Sequence, residues 1–246
     1  MDAAYIYNNH DAISYDLWQN INHVLSWLAD HWQESDEGIW EVRGGPKPFV
    51  HSRVMCWVAF DRALRFVHDR GWPAPIDEWT HLRTQIYQQI MEKGWNEKRQ
   101  SFTQYYGSDA IDASALLMTI VGFCGPREPR VLATINSIQQ DLTQGAFVRR
   151  YNPGDSANDG FRSHEGAFGA CSFWLVGNLA RAGRLNEARL MLEKLFSYSS
   201  QTGLYAEEIS PTGSALGNYP QAFTHLALIL ACITLDEELN KRQIHV

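Results

Sequence analysis

The stretch of residues 38–63, GIWEVRGGPKPFVHSRVMCWVAFDRA, carries the strongest indication of the fold. Its second half contains seven consecutive apolar residues from Val54 to Phe60, so a helix across it is buried nearly all round. Its first half is a glycine-bracketed loop that carries an indole, a carboxylate and a guanidinium. Such a loop is costly to order unless it binds something. This pairing predicts a helical protein whose functional groups lie at one end of its buried helices.

Hydrophobic periodicity extends this pattern along the chain, because amphipathic and buried helices alternate. The amphipathic helices are predicted at residues 14–31, 76–92, 129–142 and 185–196, and the buried helices at 50–66, 110–123, 167–179 and 219–235. The apolar stripe of the first helix is expected to comprise Leu17, Ile21, Val24, Leu25 and Leu28. No run with a period of two residues competes with these helices, so the predicted class is all-α.

The long loops reveal a repeat. Each loop that leads from an amphipathic helix to the next buried helix opens with glycine and apolar residues, at Gly38, Gly94, Gly145 and Gly203. The spacings of 56, 51 and 58 residues indicate a repeat whose unit is one helical hairpin. We therefore expect an (α/α) toroid, in which buried helices form an inner ring and amphipathic helices cover it. All long loops would emerge on one rim, at the N-termini of the inner helices, where functional groups are expected.

Composition excludes several classes of function. The formal net charge of −7 and the lack of a Lys/Arg cluster argue against a nucleic acid or an anionic membrane as partner. The longest apolar run, residues 222–235, falls short of the ~20 residues that a membrane span needs. Four scattered cysteines and no signal pattern predict reduced thiols in a cytoplasmic protein. Metal-ligand spacings, phosphate loops and nucleophile elbows are absent from the sequence, which predicts no metal and no cofactor.

The long loops supply the candidate functional side chains. These are acidic, basic or aromatic, with one further acid at the start of an inner helix: Glu41, Arg43, Tyr105, Tyr106, Arg149, Arg150, Tyr151, Glu165, Tyr205, Glu207, Glu208 and Asp112. Two carboxylates from separate loops that meet across a cleft are what glycoside hydrolysis requires. Arginine and aromatic side chains would bind hydroxyl groups and stack on sugar rings. Taken singly, a loop glutamate is more often solvated than catalytic, and His51 and His225 are more typical of core histidines than of metal ligands.

Several of these segments resemble the bacterial branch of glycoside hydrolase family 15. The similar strings are residues 38–44, 49–63, 165–168, 171–174, 203–209 and 217–225, and the resemblance covers nearly the whole chain. It implies an (α/α)6 barrel that hydrolyses glycosides with inversion at the anomeric carbon, with Glu41 as the general acid and Glu207 as the general base. The substrate-binding residues that we expect on this basis are Trp40, Arg43, Arg150, Glu165, Tyr205 and Glu208.

The repeat count departs from that barrel, because four hairpins are found where six are expected. Residues 1–246 are therefore predicted to be a single, incomplete catalytic domain that corresponds to the C-terminal portion of a family member, about two-thirds of the barrel. An open ring exposes the apolar flanks of inner helices, which favours self-association or packing against a missing N-terminal segment.

Three functions stay open at this point. The first is an inverting glycoside hydrolase, possibly truncated in this chain, that acts on α-linked glucosides, either trehalose or short α-glucans. The second is a non-catalytic helical sugar-binding scaffold or inactive remnant of such an enzyme, which residues 179–188 favour because they look like the turn of a tetratricopeptide-type hairpin. The third is another enzyme on the same toroid, such as a sugar epimerase, which would use central histidines rather than a carboxylate pair.

Overall fold

The computed structural model describes residues 1–152 and 166–244, and helices dominate both ranges. The helices are α1 Asp2–Asn8, α2 Tyr15–His31, α3 Val50–Arg70, α4 Ile76–Gln89, α5 Leu117–Ile120, α6 Pro129–Leu142, α7 Gly169–Arg181, α8 Leu185–Phe196 and α9 Ala222–Ile244. A π-helical turn, Ile90–Gly94, extends α4, and a 3-10 turn, Ala113–Leu116, leads into α5.

Short antiparallel strands lie in the long loops. They are β1 Trp95–Asn96, β2 Ser101–Phe102, β3 Thr143–Gln144, β4 Phe147–Val148, β5 Ala167–Phe168, β6 Glu208–Ile209 and β7 Ala215–Leu216. β1 pairs with β2 and β3 with β4, whereas β5, β6 and β7 form one sheet in that order. In this sheet Glu208 lies opposite Phe168 on one side and Leu216 on the other. The strands stiffen the loops at the N-terminal ends of the inner helices.

The helices form two layers. The outer helices α2, α4, α6 and α8 each precede an inner helix, which is α3, α5, α7 or α9 in turn. α7 contacts α6, α8 and α9, and α3 contacts α2, α4 and α5, so both of these inner helices pack against outer helices and inner neighbours. The alternation of amphipathic and buried segments therefore predicted the layers correctly.

Aromatic side chains join the layers. Trp18 of α2 and Trp79 of α4 are 0% and 1% exposed, and their rings lie 6.0 Å apart. Phe66 of the inner helix α3 packs against Trp18 at 5.8 Å between ring centroids. Burial of each such side chain contributes ~1.5–3 kcal/mol as an upper estimate. The two outer helices are thereby held on α3.

The second inner helix is shorter than the prediction for residues 110–123. It consists of the 3-10 turn and the four-residue helix α5, followed by Gly122 with a φ of +71°. The Arg62 guanidinium donates a hydrogen bond of 2.6 Å to the carbonyl oxygen of Val121. The left-handed glycine and this cap end the helix early. At its start, Asp112 is extended and forms a β-bridge with Tyr151, although periodicity had assigned Asp112 to the helix.

The predicted stripe of α2 is wrong in two positions. Trp18 and Leu25 are 0% and 1% exposed, whereas Leu17 and Val24 are 43% and 63% exposed. The helix is therefore rotated so that the indole of Trp18 faces the core. A stripe chosen from aliphatic residues alone missed this, because the larger apolar area of tryptophan outweighs that of leucine.

The last inner helix differs from the prediction for residues 219–235. It begins at Ala222 and ends at Ile244, and one of its faces is exposed rather than buried. Phe223, Leu226, Ile229 and Ile233 on this face are 52% to 68% exposed. In the part of the chain that the structure describes, no element packs over these four side chains. We refer to this set of four residues as the α9 face.

The N-terminal helix α1 was not predicted. Its Asp2 forms an ion pair of 2.7 Å with Arg62, and its Tyr5 packs edge-on against Phe66 with ring centroids 5.6 Å apart. A seven-residue helix without a long apolar stripe is stable mainly through such tertiary contacts. Among the described residues, no helix is both long enough and apolar enough to cross a membrane.

Candidate functional site

The rim loops enclose a cavity of about 760 Å³, which is within the ~300–1,000 Å³ range of small-molecule sites. Its lining combines two carboxylates, a guanidinium, amides and many apolar groups: Ile39, Trp40, Glu41, Leu117, Ile120, Arg150, Phe168, Ala170, Trp174, Glu207, Asn218, Gln221, Phe223, Leu226, Ala227 and Leu230. Glu41 and Glu207, predicted from separate loops, thus share one cavity. Its α9 side is formed in part by exposed residues of the α9 face.

Glu41 lies in a tightly bound turn. Its backbone φ is +50°, a left-handed value that non-glycine residues seldom adopt. The turn is held by hydrogen bonds from the Glu41 N–H to the Gly38 oxygen at 3.2 Å and from the Val42 N–H to the Glu37 oxygen at 3.0 Å. Val42 is 1% exposed and packs with the buried Phe49. The exposed Glu41 carboxylate therefore projects from a backbone that its neighbours hold in a strained conformation.

Trp40 is fixed by a hydrogen bond and by aromatic contacts. Its indole Nε1 donates to both carboxylate oxygens of Asp112, each at 3.0 Å. Its ring packs edge-on against Phe168 at 5.6 Å and lies 6.2 Å from the ring of Trp174. The Arg150 guanidinium lies over the Trp40 ring at 5.2 Å. Aromatic faces next to a guanidinium suit a sugar, whose ring stacks while its hydroxyl groups accept hydrogen bonds.

Glu207 is held by the backbone on both sides. Its Oε2 accepts a hydrogen bond of 2.9 Å from the Asn218 N–H, and its own N–H donates to the Asn218 oxygen at 2.9 Å. The N–H of Gly169, the first residue of α7, donates to the Glu207 oxygen at 2.8 Å. Gly217 lies so close that an added Cβ would be 2.6 Å from Glu207 Oε2. The carboxylate orientation is thus set by residues 217 and 218.

Tyr205 is a core residue in the structure and is not part of the cavity wall, where the resemblance had placed it. It is 4% exposed, and its hydroxyl donates a hydrogen bond of 3.2 Å to the Leu195 oxygen. Burial raises the pKa of this hydroxyl. His225 Nε2 accepts a bond of 3.2 Å from the Tyr205 N–H, and its Nδ1 lies 2.7 Å from the Gln221 oxygen, so Nδ1 carries the proton. Tyr205 and His225 anchor the Glu207 loop from behind.

Two further predicted residues lie outside the cavity wall. Arg43 is exposed and is outside the lining that the described residues form. Glu208 is also outside that lining, and its Oε2 accepts a hydrogen bond of 3.1 Å from the Gly166 N–H. Glu207 directly precedes β6, which Glu208 begins, and successive side chains of extended backbone point to opposite sides, which separates the two carboxylates. Glu165 lies outside the described residues.

Several cavity residues were missed by sequence reasoning. Phe168 and Trp174 were assigned to one buried helix and Gln221 to another, whereas Asn218 directly precedes the latter. All four lie in strings that resemble the family, but none was given a role in the site. The available signal was position, because each lies within or just before the first turns of an inner helix, next to the rim. The aromatic loop residues Tyr105 and Tyr106 are outside the lining, and burial raises the pKa of the Tyr106 hydroxyl.

The site does not resemble a metal centre. Among residues 1–152 and 166–244, no group of three or more His, Cys, Asp or Glu side chains could hold a metal ion. His51 lies at the start of α3, and burial lowers its pKa more than the nearby carboxylates of Asp112 and Asp36 raise it. The charged form of His51 is therefore disfavoured.

A family model and curated relatives match this chain. The family model described as Glycosyl hydrolases family 15 matches residues 1–232. The chain is 40% identical to a trehalase of Mycolicibacterium smegmatis over 251 aligned positions, which cover 100% of this chain and 37% of that protein. It is 41% identical to a trehalase of Mycobacterium tuberculosis, covering 95% of this chain and 34% of that relative. The chain thus spans little more than a third of the length of these curated relatives.

Solved structures show the same fold at low sequence identity. A wild-type glycosidase superposes with a TM-score of 0.77 at 16% identity, covering 94% of this chain and 64% of that one. A family 15 glucoamylase from Hypocrea jecorina superposes with a TM-score of 0.71 at 11% identity, covering 95% of this chain and 48% of that one. The predicted all-α toroid of helical hairpins is therefore confirmed.

Proposed function

Because this chain belongs to glycosyl hydrolases family 15, we propose that it carries the catalytic pair of an inverting glycosidase that acts on α-linked glucosides. The observation that carries the proposal is that Glu41 and Glu207 line one cavity beside Trp40 and Arg150. Trehalose is the preferred substrate in this proposal, because the relatives at 40% and 41% identity are trehalases. Short α-glucans are the second choice, since a family 15 glucoamylase shares the fold.

In the proposed reaction, the two glutamates act on opposite sides of one bond. Glu41, in its protonated form, donates a proton to the glycosidic oxygen as the bond from that oxygen to the anomeric carbon breaks. Glu207, as a carboxylate, takes a proton from a water molecule whose oxygen attacks the same carbon from the opposite face. Room for this water requires an inverting pair to stand ~6.5–9.5 Å apart. The sugar that was attacked leaves with the inverted configuration.

The surrounding side chains bind and orient the sugar in this proposal. The Arg150 guanidinium binds hydroxyl groups, and Trp40 offers an aromatic surface to the ring. The Asn218 N–H holds the Glu207 carboxylate toward the water. Glu165 is proposed as a sugar-binding residue on the family resemblance alone. Tyr205, Glu208 and Arg43 are proposed to support the site from outside its wall.

Two isosteric substitutions test the catalytic pair. Glu41→Gln and Glu207→Gln keep the shape of each side chain but remove its acid–base function, so each should lower glucose release from trehalose by ~10²–10⁴-fold. Glu37→Gln is the matched control, because Glu37 is an exposed glutamate of the same loop that does not line the cavity. Circular dichroism checks that all three variants fold. Near-normal turnover in both pair variants refutes the proposal.

The stereochemical course is tested separately. An inverting enzyme acting on α,α-trehalose releases one β-glucose and one α-glucose, whereas a retaining enzyme releases only α-glucose at first. Proton NMR during the first minutes, before mutarotation equilibrates the anomers, distinguishes the two. Initial α-glucose alone contradicts inversion even if hydrolysis itself is observed.

A second candidate function follows from the open side of the cavity. Phe223 and Leu226 line the cavity while being 68% and 61% exposed. We propose that residues outside this 246-residue chain close this side, and that the chain self-associates through the α9 face when they are absent. In that case the chain alone could be a sugar-binding scaffold without turnover. Calorimetric titration with trehalose and maltose, combined with a glucose-release assay, separates binding without hydrolysis from catalysis.

The cellular location is part of the same proposal. Cys124 and Cys171 are buried in the helical layers, and burial raises the pKa of the Cys124 thiol to about 12. All four cysteines are free thiols, which is usual in a reducing compartment and supports a cytoplasmic protein. No cofactor and no nucleic acid enter the proposed reaction, whose partner is the carbohydrate substrate.

A further inference from the structure

We propose that Asp112 is a positioning residue for the catalytic loop, because its carboxylate holds the Trp40 indole and thereby the backbone that carries Glu41. Asp112 does not line the cavity and is 1% exposed, so it acts through Trp40 rather than on the sugar. The catalytic consequence rests on the proposed role of Glu41. The positioning itself rests on contacts that are independent of the reaction.

The Asp112 carboxylate is the acceptor in a buried cluster of donors. Both oxygens accept from Trp40 Nε1 at 3.0 Å. Oδ2 also accepts from Gln104 Nε2 at 2.9 Å, and Oδ1 accepts from the Ser114 N–H at 2.7 Å. A carboxylate removed from water is costly unless its lone pairs are engaged. These donors therefore hold the Asp112 carboxylate in place, and the carboxylate in turn holds the Trp40 indole.

These bonds connect three rim loops at one point. Trp40 belongs to the loop before α3, and the Gln104 oxygen accepts from the N–H of Val50, the first residue of α3, at 3.0 Å. The third loop is reached through the bridge between Asp112 and Tyr151. The Ala113 N–H reinforces this connection with a bond of 2.8 Å to the oxygen of residue 150. Asp112 and its neighbour Ala113 thus connect the loop that carries the Trp40 indole to the loop that carries the Arg150 guanidinium.

The backbone of Glu41 explains why such an anchor is needed. At a φ of +50°, the residue occupies a region that persists only when surrounding contacts over-determine it. On its C-terminal side, Val42 is buried against Phe49. On its N-terminal side, the anchor is the indole of Trp40, which is held by Asp112. Without the carboxylate, Glu41 is expected to relax toward a common φ and to move its side chain.

Asp112→Asn tests this positioning, because it keeps the shape of the side chain but removes one strong acceptor. We expect the Trp40 indole N–H resonance, assigned by its absence in Trp40→Phe, to move upfield. Amide hydrogen exchange at residues 38–43 should become about 10-fold faster, and kcat should fall about 10-fold or more, as expected for one weakened bond to a charged group. KM should change less than about threefold, because the Trp40 ring keeps its contacts with Phe168 and Trp174.

Asp61→Asn is the matched control. Asp61 is also a buried acid, 4% exposed, but it pairs with Arg62 at 2.6 Å and does not line the cavity. Its variant should lower stability and leave the Trp40 resonance and exchange at residues 38–43 unchanged. The double variant Asp112→Asn with Trp40→Phe should be no slower than Trp40→Phe alone, since the indole through which Asp112 acts is already missing.

The outcomes separate this inference from the proposed function. An unchanged Trp40 resonance in Asp112→Asn overturns the inference, as does an equal change in Asp61→Asn. Unchanged kcat in Asp112→Asn, while Glu41→Gln abolishes turnover, also overturns it. Altered resonance and exchange together with normal turnover in Glu41→Gln support the positioning by Asp112, and then the proposed function fails instead.

Discussion

Gly217→Ala is expected to impair the Glu207 carboxylate through a single added carbon. Gly217 has a φ of +71°, and an added Cβ would lie 2.6 Å from Glu207 Oε2 and 3.0 Å from Glu207 Cβ. Ordinary contact begins near 3.4 Å, so the carboxylate must retreat by about 0.8 Å. A misplacement of ~1 Å lowers turnover by up to ~100-fold. We therefore expect kcat to fall by ~10–100-fold.

The same substitution also strains the backbone, and this effect has to be separated. A left-handed φ costs alanine ~1–2 kcal/mol, and each kcal/mol lowers the melting temperature by ~2–4 °C in a chain of this size. Gly203→Ala is the matched control: its φ is +76°, but no atom lies within 4 Å of the added Cβ. It should lose similar stability and keep kcat within about twofold of the unsubstituted chain.

The assay is glucose release from trehalose by the unsubstituted chain and both variants, measured below the lowest melting temperature. Thermal unfolding followed by circular dichroism measures the strain in each variant. Loss of kcat in Gly217→Ala alone supports the role of Glu207. Equal kcat in the two variants, at equal losses of stability, refutes the reasoning.

Three further substitutions test other parts of the structure. Burial lowers the pKa of His51 below 6.5 in the folded chain. Because the unfolded chain then binds more protons below pH ~6.5, the melting temperature should fall as the pH drops. His51→Gln should make this fall less steep. An unchanged slope between about pH 7 and pH 5 contradicts this reasoning. Tyr205→Phe removes one of two donors to the Leu195 oxygen, which keeps its bond from the Tyr198 N–H, and should cost ~0.5–1.5 kcal/mol of unfolding free energy in urea titrations, with KM for trehalose unchanged. A raised KM would instead show that Tyr205 contacts the substrate. Leu226→Asp, at a residue 61% exposed, should change the unfolding free energy by ~0.5 kcal/mol or less but shift the chain toward monomer in sedimentation velocity; a chain that is monomeric at every concentration contradicts association through the α9 face.

Much of the fold was predictable because its signals are local. The stripe of Trp79, Ile86 and Ile90 recurs at helical spacing, and these side chains are 0% to 1% exposed. An amphipathic stripe has one favourable way to face a core, so helix type and order follow from it. The rotation of α2 was not predictable from spacing alone. Leu17 and Trp18 are neighbours, and the choice between them depends on which residues of α3 and α4 they meet.

Periodicity and glycine spacing are properties of the chain, so they were sufficient to predict the hairpin repeat, the rim on which the long loops meet and the residue types of the site. Which of those residues face the cavity depends instead on tertiary contacts. Glu207 and Glu208 are adjacent, yet only Glu207 lines it. Trp40 and Asp112 are 72 positions apart, yet they share a hydrogen bond. Directions of side chains in irregular loops follow from contacts between distant segments, and such contacts have no period in the sequence.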